Sequence, residues 1–147
     1  MLIESVGKAA LGVAIMFYIG LCGCTIRYDD VSKNPEFAPL LNARFTVSTN
    51  MLLSGLSLGP GYGKDIDVYV IRPISIRVVG PEILTENILE PGTILTIKSI
   101  EKSTVSIPFE GRRIMATVSV LPHKKGVEAP VEIELEYLQS TNYVKQL

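Results

Sequence analysis

Gly55-Leu56-Ser57-Leu58-Gly59 has the spacing of a serine nucleophile held on a sharp turn, and Asp65 or Asp67 and then His123 follow in the order serine, acid, base. That chemistry needs a strand leading into a helix, so that the hydroxyl sits at the helix N-terminus. Gly59-Pro60-Gly61-Tyr62-Gly63 follows instead, and such a string begins no stable helix. Hydrolysis through Ser57 and His123 is therefore the minor reading. Gly61-Tyr62-Gly63-Lys64 likewise fails as a phosphate loop, since Leu58 stands where the first glycine is required and Asp65 where Ser or Thr is. It reads as a long hairpin connection with Tyr62 at its tip, a residue type that offers a partner both apolar area and a hydroxyl. Glu132, Glu134 and Glu136 alternate along one strand about 7 Å apart. A calcium site would draw oxygens from several segments. The three carboxylates read as a solvated strand face opposite Lys98, Lys102 or Arg113. His123-Lys124-Lys125-Gly126 reads as a hairpin turn with its charges in water. No metal site and no cofactor are expected, because one histidine and two cysteines are too few for zinc.

The two cysteines, Cys22 and Cys24, point to a different chemistry. Two positions apart, they make a poor disulfide. They close an apolar run, Ala9–Gly20, that follows a short head bearing Lys8. An apolar stretch of that length ending in small residues is the pattern of an export signal. From Ala9 to Cys24 the segment also falls short of the ~20 residues that a spanning helix needs, and it shows no polar face. Leu21-Cys22-Gly23-Cys24 resembles the lipobox of bacterial lipoproteins. The resemblance implies a diacylglyceryl thioether on Cys24, cleavage between Gly23 and Cys24, and acylation of the new amino terminus, typically with palmitate. It departs from the family's usual pattern at Cys22, where Ala, Ser, Thr or Val is commoner, and at Glu4, which dilutes the positive head. Thr25 stands where the family's inner-membrane retention signal has Asp, which favours the outer membrane in a Gram-negative host. A single acyl chain binds a bilayer only marginally, whereas two or more hold firmly, so multiple chains on Cys24 would anchor the protein.

The organisation expected is a signal peptide over 1–23, a lipidated tether over 24–34 and a single β-rich domain over 35–147. Residues 24–147 are long enough to bury a core without disulfides. Loss of Lys8 and Glu4 together leaves the net charge at −1, and no basic patch with interleaved aromatics argues for nucleic acid. Trp is absent and there are four Phe, so the core must be mostly Ile, Val and Leu.

Those residues alternate. Val131, Ile133, Leu135 and Tyr137 share one face of a strand, with the three glutamates opposite. Arg113–Leu121 and Thr93–Ile100 are further strands, the latter introduced by the turn Glu90-Pro91-Gly92. Arg44–Thr49, Met51–Leu58, Asp67–Ile71 and Ser75–Val79 complete the set. Asn34-Pro35-Glu36-Phe37 starts a helix that Pro39 stops within a turn, and Pro81–Leu89 has room for one more helical turn. The fold class is all-β, a small antiparallel barrel or sandwich of six to seven strands behind an N-terminal signal helix. Leu89–Ile97 resembles the turn-into-strand phrasing of SH3-like barrels.

The expected role is that of an envelope lipoprotein held on a membrane by Cys24 and facing the periplasm or the cell exterior. Its domain would be non-catalytic, binding an envelope protein or cell-wall component, or serving as an accessory or inhibitory subunit. An envelope serine hydrolase using Ser57 and His123, or a small-ligand carrier, is the alternative.

Overall fold

A computed structural model describes residues 27–76, 78–105 and 111–147. Among them, nine strands form one sheet: β1 (Tyr28–Asp30), β2 (Arg44–Val47), β3 (Met51–Leu56), β4 (Val68–Pro73), β5 (Ile83–Leu89), β6 (Ile94–Ser103), β7 (Ile114–Leu121), β8 (Val131–Glu134) and β9 (Val144–Gln146). The order is β5-β3-β4-β8-β7-β6-β2-β9, with β1 also on β6. The protein is all-β, as its alternation requires. Two features differ from a small antiparallel barrel: β4 and β8 run parallel, with Tyr69 opposite Val131, and the sheet is not closed.

Alternation sets the core. Met51, Leu53, Ile71, Leu89, Leu95, Ile97, Ile100, Ala116 and Ile133 all point to one face and are buried in a single apolar cluster. Ten-residue β6 is the spine, pairing its first half with β2 and its second with β1. A bulge between Ile97 and Ser99 bends it against β7. At that bend Ser32, itself buried, accepts a hydrogen bond from the Ile100 amide at 2.9 Å. The Glu90-Pro91-Gly92 turn forms as expected, with Gly92 at φ 90°. Gly55 is required for close approach, since a Cβ there would lie 2.5 Å from Thr85 Oγ1 and 2.7 Å from Ile66 Cδ1.

Several expectations need correction. Residues 28–34 are not free tether: β1 pairs with β6, and the Val31 amide donates to Ile100 O at 2.9 Å. Ser75, Ile76, Val78 and Val79, the described residues of the expected strand 75–79, belong to no strand. The chain leaves the sheet at Pro73, where β3 offers no further partner beyond Met51, and the Ile76 amide turns back to Pro73 O at 3.0 Å. Pro81–Leu89 is not helical but supplies β5, an edge strand whose Thr85-Glu86-Asn87 centre is exposed and so shows no apolar period. The strand expected through Tyr137, β8, stops at Glu134, and Leu135–Gln139 forms helix α1. Leu135 and Leu138 are the buried pair there, three apart as a helix demands, while Tyr137 sits edge-on to Tyr143 at 5.8 Å. Asn34–Leu40 gives only turns and a 3-10 segment at Ala38–Leu40 containing Pro39. The expected signal peptide and helix lie outside the described residues.

Candidate functional site

The face of the sheet opposite the core carries an open groove of about 1010 Å³. One side is apolar, lined by Leu56, Val68, Val70, Ile76, Val78 and Ile83. The other side is charged, lined by Tyr28, Glu101, Arg112, Arg113, Glu132 and Glu134. The alternation that sends Tyr69, Ile71, Val131 and Ile133 inward sends Val68, Val70, Arg72, Glu132 and Glu134 to this face.

Arg72, on β4, reaches across β3 toward the edge strand β5. Its guanidinium pairs with Glu86 of β5, Nη2 to Oε1 at 2.7 Å, and Nη2 also reaches Val78 O at 3.4 Å. Ser54 donates to the same Glu86 oxygen at 3.5 Å. Arg72 thus holds the edge strand to β4 and ties down the segment that follows Pro73. Its Nε is buried with no partner among the described residues.

The Glu132 carboxyl is pushed up from its ordinary value, by burial first and by the neighbouring Glu101 second. Burial also raises the Tyr28 hydroxyl, with Arg113 opposing and Glu132, Glu134 and Glu101 adding to it. A carboxyl whose folded pKa is raised holds its proton more tightly when folded. Its ionised form therefore costs stability, a cost that appears as pH rises from the ordinary range through the raised value and persists above it. Glu132→Gln should accordingly unfold at higher urea than the parent at pH 7. The advantage should close near pH 3.5, where the parent's carboxyl is also neutral. A less stable variant at pH 7 would mean that ionised Glu132 is stabilised by its surroundings.

Of the residues singled out from sequence, Glu132 and Glu134 line the groove half-buried rather than as a fully solvated face. Glu136 moves onto α1 and is exposed. Tyr62 is exposed at the β3–β4 loop and adopts a left-handed φ of 48°, a backbone region that costs about 1 kcal/mol or more for a non-glycine residue. Ser57 is buried, and its amide donates to Glu82 O at 2.9 Å. Asp67 accepts the Leu58 amide at 2.6 Å, and Asp65 is exposed in the same loop. No helix follows Ser57. His123 is exposed in the β7–β8 loop, beside Lys124 in a smaller hollow of about 260 Å³ walled by Val118, Val120 and Val127. Ser57 and His123 leave the same end of the sheet, but β4 and β8 lie between the strands they follow. Three strand spacings, about 14 Å along the sheet, separate them, and no hydrogen bond joins them. Gly23 and Cys24 lie outside the described residues. Among the described residues no cluster of His, Cys, Asp or Glu could hold a metal ion, and no helix is long and apolar enough to cross a membrane.

Sequence reasoning missed Arg72 and Glu86. A signal existed for the first: an arginine inside Val68-Tyr69-Val70-Ile71-Arg72-Pro73 has to find a counter-charge. Nothing local named Glu86, which lies 14 residues on. No family model, curated protein or solved structure matches this chain.

Proposed function

We propose that this protein is a lipid-anchored envelope protein whose β domain binds a partner without catalysing a reaction. Cys24 carries the lipid, Gly23–Cys24 is the processing site, and the partner is an envelope protein or cell-wall component met outside the membrane. The observation that carries the reading is Leu21-x-Gly23-Cys24 at the end of an apolar run, with an ordered sheet beginning at Tyr28. Tyr62 fits a contact residue, since its ring is exposed and its backbone is held in a conformation that its own side chain does not favour.

Cys24→Ala tests the anchor. Cells producing the variant should incorporate no labelled palmitate into it and should accumulate a precursor longer by the 23 signal residues. Unchanged processing would make the segment an ordinary secretory signal, and the anchoring role would fall.

A further inference from the structure

We infer that the open edge of β5 pairs with β5 of a second copy of this chain, antiparallel and centred on Asn87. Such pairing goes beyond the partner binding proposed above and does not depend on lipid at Cys24.

The backbone of β5 sets the register. On β3, the Ser57 amide turns toward β5 and donates to Glu82 O at 2.9 Å, while the Leu56 carbonyl turns toward β4 and accepts from the Asp67 amide at 2.9 Å. Backbone groups alternate between the two sides of a strand, so Met51, Leu53 and Gly55 bond toward Leu89, Asn87 and Thr85. Glu86 and Ile88, between these, direct their N–H and C=O away from β3. No strand lies beyond them among the described residues. An irregularity opposite Gly55 and Leu56 leaves Leu84 without a register partner. The regular edge is therefore Thr85–Leu89, about 17 Å long, with Asn87 at its middle.

This edge lacks the devices that keep strand edges apart. It holds no Pro and no Lys, and its one ionised side chain, Glu86, is neutralised by Arg72 at 2.7 Å. The other edges, β1 and β9, are three residues long and charged, by Asp29 and Asp30 in β1 and by Lys145 in β9. A neutral edge gives a charged strand nothing to complement, whereas its own copy suits it. With the two-fold axis at Asn87, Glu86 of each chain exchanges both backbone hydrogen bonds with Ile88 of the other. Each carboxylate then opposes an isoleucine that is 51% exposed. A register centred on Glu86 would instead set two carboxylates against each other, which is destabilising. Asn87 meets its own copy, and an amide both donates and accepts, as a side chain on a two-fold axis must. Thr85, Glu86, Asn87 and Ile88 are all exposed. Edges this short fall below the ~800 Å² per partner of a standard interface, so the association is weak and cross-linking reads it best.

The full chain carrying Asn87→Cys is oxidised in membranes of the cells that produce it, beside chains carrying Thr85→Cys or Val79→Cys. Mass spectrometry of the linked peptides separates these products from links through Cys22 or Cys24. Across a non-hydrogen-bonded antiparallel pair the Cα atoms lie about 4.5 Å apart, within the span of a disulfide. Linkage of 87 to 87 should form at least tenfold faster than 85 to 85, whose positions lie about 14 Å apart along the ladder. It should exceed 79 to 79 by as much, since Val79, 87% exposed, measures random collision. Adding Ile88→Glu to the Asn87→Cys chain sets a carboxylate against Glu86 of the copy and should slow linkage several-fold, whereas Ile88→Lys should not. Linkage at 87 that is no faster than at 79 or 85, or that ignores Ile88→Glu, overturns the pairing. A product joining position 87 to a different protein puts another strand on this edge and also overturns it.

Discussion

Ile133→Asp should leave the chain without a cooperative unfolding transition. Ile133 is fully buried at the middle of β8, opposite Ile71 of β4 on one side and Ala116 of β7 on the other. Both cross-strand neighbours are apolar and Ile133 belongs to the apolar cluster, so they offer a carboxylate there neither a side-chain donor nor a counter-charge. Burying an unpaired charge costs several kcal/mol at least, against a total stability for a domain of about 5–15 kcal/mol. The loss also strikes the parallel β4–β8 pair that joins the two halves of the sheet. Ile133→Val, which removes one methylene, should cost only about 0.5–1.5 kcal/mol. Circular dichroism with urea titration reads both. An Ile133→Asp variant that melts like its parent would put this residue on the opposite face, a slip of one position along the strand.

That strand shows what was legible and what was not. The inward face of β8 could be read because alternation is local, and the Glu90-Pro91-Gly92 turn because its backbone demands are written in adjacent residues. Two positions later the same reasoning failed. Leu135 and Tyr137 continue the alternation, but Leu138 also needs burial, and only a helix puts Leu135 and Leu138 on one side. The sequence of Ser75–Val79 has the β-branched alternation of a strand, yet its described residues pair with no strand, since pairing depends on where β3 ends rather than on its own residues. β5 is the converse: a strand with an exposed polar centre, formed because β3 offers it an edge. The groove was not legible at all. It is assembled from non-consecutive strands whose order includes a parallel crossover from β4 to β8, and no local pattern encodes that order.

The Arg72–Glu86 pair offers a sharper test of how that groove is held, because its two ends should respond unequally. The Arg72 side chain is 9% exposed and that of Glu86 37%. Glu86→Ala strands the buried guanidinium. Its Nε already lacks a partner among the described residues, and Nη2 keeps only the long contact to Val78 O at 3.4 Å. Removing one member of a fully buried pair costs about 3–5 kcal/mol, but water can enter where the half-exposed carboxylate stood, so a loss of about 2 kcal/mol is expected. Arg72→Met leaves Glu86 to solvent at the sheet edge and fills the same space with an unbranched apolar chain, at a cost below about 1.5 kcal/mol. The double variant should match Arg72→Met alone, because once the cation is gone the carboxylate has nothing left to neutralise. Urea unfolding of the three chains measures this directly. Arg72→Met should also speed amide exchange at Val78 and Val79, since the tie from Arg72 to Val78 O is lost while the core beneath is untouched. Losses near zero in both single variants would mean that both ends are solvated and that the pair contributes nothing to holding β5 on the sheet.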